Sequence, residues 1–263
     1  CKTIQKLKPM PSLKGFLKTL WLKSRLEQPP LVVDSPVPGT AISIKFAVHT
    51  WFEFHNRAQG SYTGEPDMVE WLKSQLRPED VFWDIGANVG AYSVLASRLC
   101  PQARIYSFEP FIPTFSHLWE NILLNSASNR VFPLNMGLLD KTAPETLAVN
   151  DVRAGSSQHQ VGGSGGVATQ FVLSMRGDDI PERLGVPFPN LLKLDIDGLE
   201  VEAVEGLKGV LKNPALRQAM IEVEAGKTEE KVGRLFHDSG FARIANPLTK
   251  ATNGVFNALF SRS

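Results

Sequence analysis

The sequence predicts an α/β fold in which a doubly wound, Rossmann-like, mostly parallel sheet is covered by helices on both faces. Short apolar runs alternate with helical patterns from Val81 onward, and this alternation is typical of open parallel sheets. The first run breaks into a turn with two glycines within "FWDIGANVGAYSVLA", residues 82 to 96. With 263 residues, 43% of them hydrophobic, the chain is long enough for one such domain with a full core.

The first thirty residues predict a basic amphipathic arm. In "PSLKGFLKTLWLKSRL" the apolar residues recur at helical spacing, Ser12 can cap the helix, and lysines occupy the other face. Such a helix can pack on its own domain, or residues 12–26 can bind an anionic membrane surface or a protein partner. The predicted organisation is therefore an arm (1–30), an N-terminal cap segment (31–78) and a main domain (79–263).

The order of local patterns predicts the remaining elements. In the cap segment, "AISIKFAV" and "TWFEF" are strand candidates, and "GEPDMVEWLKSQL" is a helix that begins near Pro66. The main domain continues with strands and helices in turn, including a helix over "EVEAVEGLKGVLK" and a final pair of strands, "FARIA" and "VFNALFS". The glycine- and serine-rich stretch "AGSSQHQVGGSGGVA" predicts a mobile surface loop between strands.

Composition narrows the range of partners and compartments. A formal net charge of +1 gives no electrostatic reason to bind nucleic acid. The two cysteines lack the spacing of a disulfide framework or a zinc site, so we expect a cytoplasmic protein, peripheral to a membrane if the arm binds lipid. The oligomeric state is left open.

The glycine turn predicts a nucleotide-like ligand. Asp84 ends the first strand, Gly86 and Gly90 permit a tight turn and a close backbone approach, and the helix that starts near Ala91 directs free N–H groups at the same place. Glu109 closes the next strand, where a carboxylate can accept both ribose hydroxyls. A nucleotide-binding pocket is therefore expected at the ends of these two strands.

The kind of nucleotide follows from the charge of the turn. Dinucleotide folds use G-x-G-x-x-G, whereas this turn reads D-x-G-x-N-x-G. Asp84 would repel a pyrophosphate but would suit the ammonium group of S-adenosylmethionine. The alternative is that Asp84 only caps the turn.

Four blocks then resemble the FkbM-type S-adenosylmethionine-dependent methyltransferases. They are "VFWDIGANVGAYS", "RIYSFEP", "VFPLNMGLLD", and "LLKLDIDGLEVEAVEGL" followed by "IEVE". The resemblance runs from about Glu65 to the last strand, and Asp197 stands where the family more often has Glu. It implies a seven-stranded sheet whose last strand is inserted antiparallel.

The resemblance also implies which residues bind the donor. Asp84, Gly86, Asn88 and Gly90 would surround the methionine part, and Glu109, followed by Pro110, would bind the ribose. Asn135, Met136 and Gly137 would flank the adenine. Glu65 either closes the pocket or places a negative charge at the N-terminus of the next helix.

Methyl transfer to a hydroxyl needs a positioned acceptor and benefits from a base. The stretch "LLKLDIDG" places Lys193, Asp195 and, if the strand extends that far, Asp197 on one side of the fourth strand of the main domain. Asp195 is the predicted catalytic base, with Lys193 in support and Asp197 beside it. Two alternatives stay open: Lys193 and Asp195 form a structural ion pair, or Asp195, Asp197 and Glu222 hold a divalent cation.

The acceptor site is expected in the glycine-rich loop, where Ser156, Ser157 and His159 are the candidate contacts. The resemblance implies O-methylation of a sugar, a glycan or a natural product. An NAD-dependent oxidoreductase and a noncatalytic carbohydrate-associated module are the competing hypotheses.

Overall fold

The computed structural model describes residue 17 and residues 29–156, 159–163 and 165–263. The predicted arm therefore lies outside the described residues except for Leu17 and the prolines at its end. The chain divides into two compact units, Cys1–Leu31 and Val32–Ser263, and the fold described below is that of the second unit. Within the described residues, no helix combines the length and the apolar character that crossing a membrane requires.

The N-terminal part of this unit forms a two-stranded sheet followed by short helical segments. The strand predicted over "AISIKFAV" and the helix predicted from Pro66 are confirmed. The elements are β1 (Leu31–Pro36), β2 (Ser43–Val48), α1 (Trp51–Glu53), a π-helical turn (Phe54–Gln59), α2 (Ser61–Gly64) and α3 (Pro66–Gln75).

The strand predicted over "TWFEF" is wrong, because these residues are helical. Thr50 caps α1, since its hydroxyl oxygen accepts a hydrogen bond from the backbone N–H of Glu53 at 3.2 Å. A short apolar run fits a strand and a buried helical turn equally well, and the capping threonine decides for the helix here.

The main domain alternates strands and helices as the sequence predicts, with a small additional sheet in its middle. Its elements are β3 (Val81–Ile85), α4 (Ala91–Leu99), β4 (Arg104–Phe108), α5 (Ile112–Leu124), β5 (Val131–Leu134), β6 (Gly137–Leu139), β7 (Ala143–Val149), β8 (Gln160–Val161), β9 (Ala168–Arg176), a 3₁₀ turn (Gly177–Asp179), α6 (Ile180–Leu184), β10 (Leu191–Leu194), α7 (Glu200–Glu205), α8 (Lys208–Lys212), β11 (Gln218–Glu224), α9 (Glu229–Asp238), β12 (Phe241–Ile244) and β13 (Val255–Arg262).

The central sheet has seven strands in the order β12-β13-β11-β10-β3-β4-β5. Strand β13 lies between β11 and β12 and is antiparallel to both, whereas β11, β10, β3, β4 and β5 are parallel neighbours. The predicted doubly wound sheet with an antiparallel last strand is confirmed. The strand order reverses between β3 and β10, and ligands of open α/β sheets bind at the carboxyl ends of strands at such a switch point.

Alternate residues of the central strands serve two separate cores. In β3, Phe82 belongs to one buried cluster, while its neighbour Trp83 belongs to the cluster on the other face. Both are fully buried, as expected when successive side chains point to opposite faces of a sheet that is covered on both sides.

The helix predicted over "EVEAVEGLKGVLK" is divided into α7 and α8. The carboxylate of Asp178 accepts hydrogen bonds from the backbone N–H groups of Gly209 (2.7 Å) and Val210 (2.9 Å). This side-chain cap gives α8 its own N-terminus.

The stretch predicted as a mobile loop, residues 154–168, contains ordered structure in its described part. Ala154, Gly155 and Ser156 are buried, and β8 pairs antiparallel with β7, which places Val161 opposite Leu147. Part of this stretch, β8, is thus a strand of the small sheet formed by β6, β9, β7 and β8.

Candidate functional site

The glycine turn after β3 is shaped by contacts within the protein. Gly86 has a φ of +74°, and a Cβ there would lie 1.8 Å from the carbonyl oxygen of Asp195. Gly90 has a φ of +85°, and a Cβ there would lie 2.4 Å from Cδ1 of Leu118 on α5. Both glycines are therefore needed so that the turn can lie against its neighbours.

A first cavity of ≈ 250 Å³ lies at the carboxyl ends of the central strands. Most of the predicted donor, catalytic and acceptor residues line it, whereas Asp84, Gly90, Asn135 and Lys193 are not part of its lining. The predicted residues in the lining are Glu65, Gly86, Asn88, Glu109, Pro110, Met136, Gly137, Ser156, His159, Asp195 and Asp197, joined by Glu222.

Glu109 is a buried carboxylate presented to this cavity. One oxygen accepts the N–H of Asn88 at 3.0 Å and the other accepts the N–H of Phe111 at 2.8 Å. Burial raises its pKa to about 7, although the two N–H groups favour the ionised form. Each oxygen can accept a further hydrogen bond, so the group is suited to a pair of adjacent hydroxyls.

Asp84 and Lys193 lie beneath the glycine turn. Asp84 is fully buried, and its carboxylate accepts a hydrogen bond from the hydroxyl of Ser93 at 2.5 Å. The ammonium of Lys193 lies 3.3 Å from Asp84 and 3.3 Å from Asp195, and it donates to the carbonyl oxygen of Gly86 at 3.1 Å. Lys193 thus connects the carboxyl ends of β3 and β10. The predicted direct contact between Asp84 and the donor stays a prediction.

Four carboxyl groups, from Glu65, Asp195, Asp197 and Glu222, border the cavity and form what we call the acidic cluster. The charge of Asp195 is the main cause that raises the pKa of Glu222 to about 9, and burial adds to it. Burial and Asp195 also raise the pKa of Glu65. Burial alone would lower the pKa of Lys193, but Asp195, Asp84 and Glu65 raise it overall. The cluster therefore favours a cationic ligand.

A second cavity of ≈ 460 Å³ adjoins the first and shares five lining residues with it, namely Arg57, Glu65, Gly86, Asn88 and Asp195. Its wall also includes residues of the π-helical turn, Tyr92 and Lys193. Glu65 accepts hydrogen bonds from the hydroxyl of Tyr92 and, at 3.4 Å, from the side-chain amide of Asn257. It makes no side-chain cap to α3, so its carboxylate forms part of the cavity wall.

The loop after β7 closes against the glycine turn. Asn88 donates its side-chain amide to the carbonyl oxygen of Ser156 at 3.1 Å, and Arg57 donates Nε–H to that of Gly155 at 2.7 Å. The hydroxyl of Ser156 lies 2.9 Å from Nε2 of His159, and burial lowers the pKa of this histidine. The predicted pair Ser156 and His159 is therefore brought together at the cavity, while Ser157 lies outside the described residues.

Asn135 supports the cavity from outside its lining. Its side-chain amide donates to the carbonyl oxygens of Glu109 (2.9 Å) and Pro110 (3.0 Å). These bonds hold the connection after β4 next to Met136 and Gly137, which do line the cavity. Its predicted contact with adenine stays a prediction.

The divalent cation considered for this site has no ready-made ligand set among the residues that the structure describes. The carboxylate oxygens of Asp195, Asp197 and Glu222 do not form a group within 4.8 Å of one another. The sequence analysis did not indicate Arg57, which lies in a segment without a recognisable motif, or Tyr92, which lies in the glycine-turn motif but reaches Glu65 only through the packing of the N-terminal cap segment. Their participation becomes visible only when the chain is folded.

The matching family model and two related sequences agree on one class. Residues 84–246 match the methyltransferase FkbM domain. The chain is 28% identical over 187 residues to the hexuronic acid methyltransferase AglP of Haloferax volcanii, covering 71% of this chain and 72% of that protein. It is 24% identical to the 31-O-demethyl-FK506 methyltransferase FkbM of Streptomyces tacrolimicus, with coverage of 68% and 79%. A crystal structure of precorrin-6y C5,15-methyltransferase from Geobacter metallireducens is 15% identical with a TM-score of 0.49, covering 77% of this chain and 89% of that one.

The observed site fits the methyl donor of this class. S-adenosylmethionine has a ribose diol, which suits the two oxygens of Glu109, and it carries positive charge, which suits the acidic cluster. The FkbM domain match extends over more than half of the chain and contains Glu109 and three of the four residues of the acidic cluster, Asp195, Asp197 and Glu222. The chain belongs to the FkbM family of S-adenosylmethionine-dependent methyltransferases.

Proposed function

We propose that this enzyme methylates a hydroxyl group of a sugar or glycan and that Asp195 accepts the proton of that hydroxyl. One observation carries the proposal: Asp195 lies in the wall common to both cavities, and its side chain is one-third exposed. A carboxylate in this place can reach an acceptor bound beside the donor.

The donor supplies an electrophilic methyl group for in-line displacement when it is bound. Glu109 binds and orients its ribose, and the carboxylates of the acidic cluster offset its positive charge. The contacts of Asn88 and Arg57 with the loop at Gly155 and Ser156 hold this loop in the wall of the cavity. Much of the rate can arise from this positioning of the two reactants in a dry pocket.

The environment of Asp195 suits a general base. The ammonium of Lys193 lies 3.3 Å from one carboxylate oxygen of Asp195, and the side chain of Asp195 is partly exposed toward the cavities. The proton of the acceptor hydroxyl moves to the carboxylate as the new carbon–oxygen bond forms. Lys193 then acts as a positioning residue, because it fixes the carboxylate to the end of β10 and to the glycine turn.

A sugar is favoured as acceptor by the surface next to the second cavity. Trp51 is 75% exposed, and its ring is stacked at 6.5 Å and 9° on that of His55, a residue of the cavity lining. An exposed aromatic face can hold the apolar face of a sugar ring. The relative named as a hexuronic acid methyltransferase supports the same substrate class, and Arg57 offers a cation for the carboxylate of a uronic acid.

The test is methyl transfer from labelled S-adenosylmethionine to a panel of uronic-acid glycosides, neutral glycosides and hydroxylated natural products. We expect turnover with glycosides, highest with the uronic acids. Turnover of hydroxylated natural products alone would contradict the sugar assignment while leaving the methyltransferase activity intact.

The assignment of the base is tested with Asp195→Asn. We expect this variant still to bind S-adenosylmethionine, while kcat measured at saturating S-adenosylmethionine falls by about 10²–10⁴, the usual contribution of a general base. Calorimetry gives the affinity and initial rates give kcat. Asp238→Asn, at an exposed acid on α9, serves as the control, and a wild-type kcat in Asp195→Asn would rule out the assigned role.

A further inference from the structure

We propose that His49, His117 and Glu120 form a binding site for one divalent transition-metal cation of the zinc class, separate from the methyl-transfer site. These residues surround neither cavity. In the part of the chain that the structure describes, they are the only group of at least three metal-binding side chains with ligand atoms within 4.8 Å of one another.

The site is built from one helix and one connection. His117 and Glu120 lie three residues apart on α5, so their side chains share one face of the helix. His49 follows β2 and is 71 positions away from Glu120 in the sequence, yet its Nε2 lies 2.7 Å from a carboxylate oxygen of Glu120. The two imidazole rings are stacked with centroids 4.1 Å apart. Ordinary ion pairs account for the contacts of His49 with Glu120 and of His117 with Glu53 but not for the stacking of the two imidazole rings.

A buried carboxylate orients His117 in the way that metal-binding histidines are commonly oriented. The side chain of Glu53 is only 3% exposed, and one of its oxygens accepts a hydrogen bond from Nδ1 of His117 at 2.5 Å. Its other oxygen accepts from the N–H of His49 at 3.1 Å and from the hydroxyl of Thr50 at 3.1 Å. With the proton on Nδ1, the Nε2 lone pair of His117 is available for a metal ion.

The donor set specifies the class of ion. Two imidazole nitrogens and one carboxylate oxygen suit zinc and its neighbours, whereas calcium and magnesium prefer oxygen ligands throughout. Tetrahedral zinc would place such ligand atoms roughly 3.4 Å apart, which small side-chain rotations can reach from the observed arrangement. His49 and Glu120 are each about one-third exposed (36% and 35%), so an ion can enter and a water molecule can complete its coordination.

The position of the site suggests what binding would do. His49 lies just before α1 and the π-helical turn, and the turn supplies His55, Asn56 and Arg57 to the wall of the second cavity. A metal ion would fasten the beginning of this segment to α5. Binding should therefore raise thermal stability without requiring either substrate.

The test is a calorimetric titration of the chelator-treated full chain with zinc chloride, together with the absorption spectrum of the cobalt(II) form. We expect one bound zinc ion per chain, a visible cobalt spectrum typical of nitrogen and oxygen ligands, and a rise in Tm on zinc addition. His49→Ala and Glu120→Gln should each weaken zinc binding at least about 10-fold, as even the loss of an outer-sphere partner does.

His237→Ala is the matched control, since His237 is an exposed histidine beside an acid, Asp238, on another helix. It should bind zinc as the wild type does. The metal-free Tm of each variant shows that it is folded. Absence of zinc binding to the wild type, or equal zinc affinity in the wild type, His49→Ala and Glu120→Gln, would overturn the proposal.

Discussion

Glu109 illustrates how burial and ligand chemistry combine in one side chain. The residue is only 7% exposed, and burial raises the pKa of its carboxyl group to about 7. A residue with this pKa changes charge within the working range of most enzymes. Because the ionised form accepts hydrogen bonds with both oxygens, the charge state of Glu109 should control the binding of the ribose.

We therefore expect the affinity for S-adenosylmethionine to decrease as the pH falls from 8 to 6, because Glu109 becomes protonated as the pH passes through its pKa of about 7. Glu109→Gln should weaken binding about tenfold or more at pH 8, as the loss of a hydrogen bond to a charged group costs about 1.5–3 kcal/mol. Its affinity should depend on pH less steeply than that of the wild type over this interval, because only the acidic cluster still changes its protonation. Calorimetry at several pH values measures both effects, with Glu70→Gln on the surface of α3 as control. A steep pH dependence retained in Glu109→Gln would assign the titration to another group.

The residues of the site differ in how far the sequence could predict them. Glu109 and Asp195 were predicted from their positions at strand ends, and the structure places both at the first cavity. The contacts of Lys193 with two aspartates follow the alternation of β10 and the pairing of β10 with β3. Arg57 and Tyr92 were not predicted, because their proximity depends on how the cap segment packs on the turn.

At the level of elements, the packing of α4 directly after the glycine turn depends on Gly90. Gly90 stands directly before α4 in the left-handed region, and the site of its missing Cβ is occupied by the side chain of Leu118. This contact fixes α4 against α5, and α5 begins just after Glu109. The glycine therefore helps to set the distance between the two strand ends that form the donor site.

Gly90→Ala should lower the free energy of unfolding by about 2–4 kcal/mol, the sum of left-handed backbone strain and overpacking. Leu118→Ala on its own leaves a cavity and should also destabilise the protein. The double variant should lose less than the sum of the two single losses, since the smaller side chain makes room for the new methyl group. Chemical denaturation of the four proteins measures this cycle, and strict additivity would contradict the proposed clash.

The elements that the sequence failed to predict share a physical cause. "TWFEF" is apolar and short, so local periodicity could not separate a strand from a capped helical turn. The glycine-rich stretch has little local preference for order, yet pairing of β8 with β7 and burial of Ser156 give it structure. In both segments the local pattern was too weak to decide the structure, which depends on the cap at Thr50 in the first and on strand pairing in the second. The pattern of apolar residues was strong enough to predict β3, β4, β10 and β11.

At the level of the whole molecule, the strand order reverses between β3 and β10. Carboxyl groups from distant parts of the sequence lie close together in the cavity at this point. Glu65 comes from the start of α3, Asp195 from the end of β10 and Glu222 from β11. Burial and the charge of Asp195 raise the pKa of Glu65, and the charge of Asp195 together with burial raises that of Glu222. Part of the cluster is therefore protonated near neutral pH, and its proton content is coupled to the binding of a cation.

Donor binding at pH 7.5 should consequently release protons. In the free protein the pKa of Glu222 is about 9, so its carboxyl group is mostly protonated at this pH, and a nearby positive charge lowers that pKa. Calorimetry in buffers with different ionisation enthalpies measures the released fraction of a proton. S-adenosylhomocysteine, which lacks the sulfonium charge, should release less, and Glu222→Gln should abolish most of the release. Glu224→Gln, two residues further along β11, is the matched control. Equal proton release in Glu222→Gln and the wild type would show that the acidic cluster does not sense the charge of the donor.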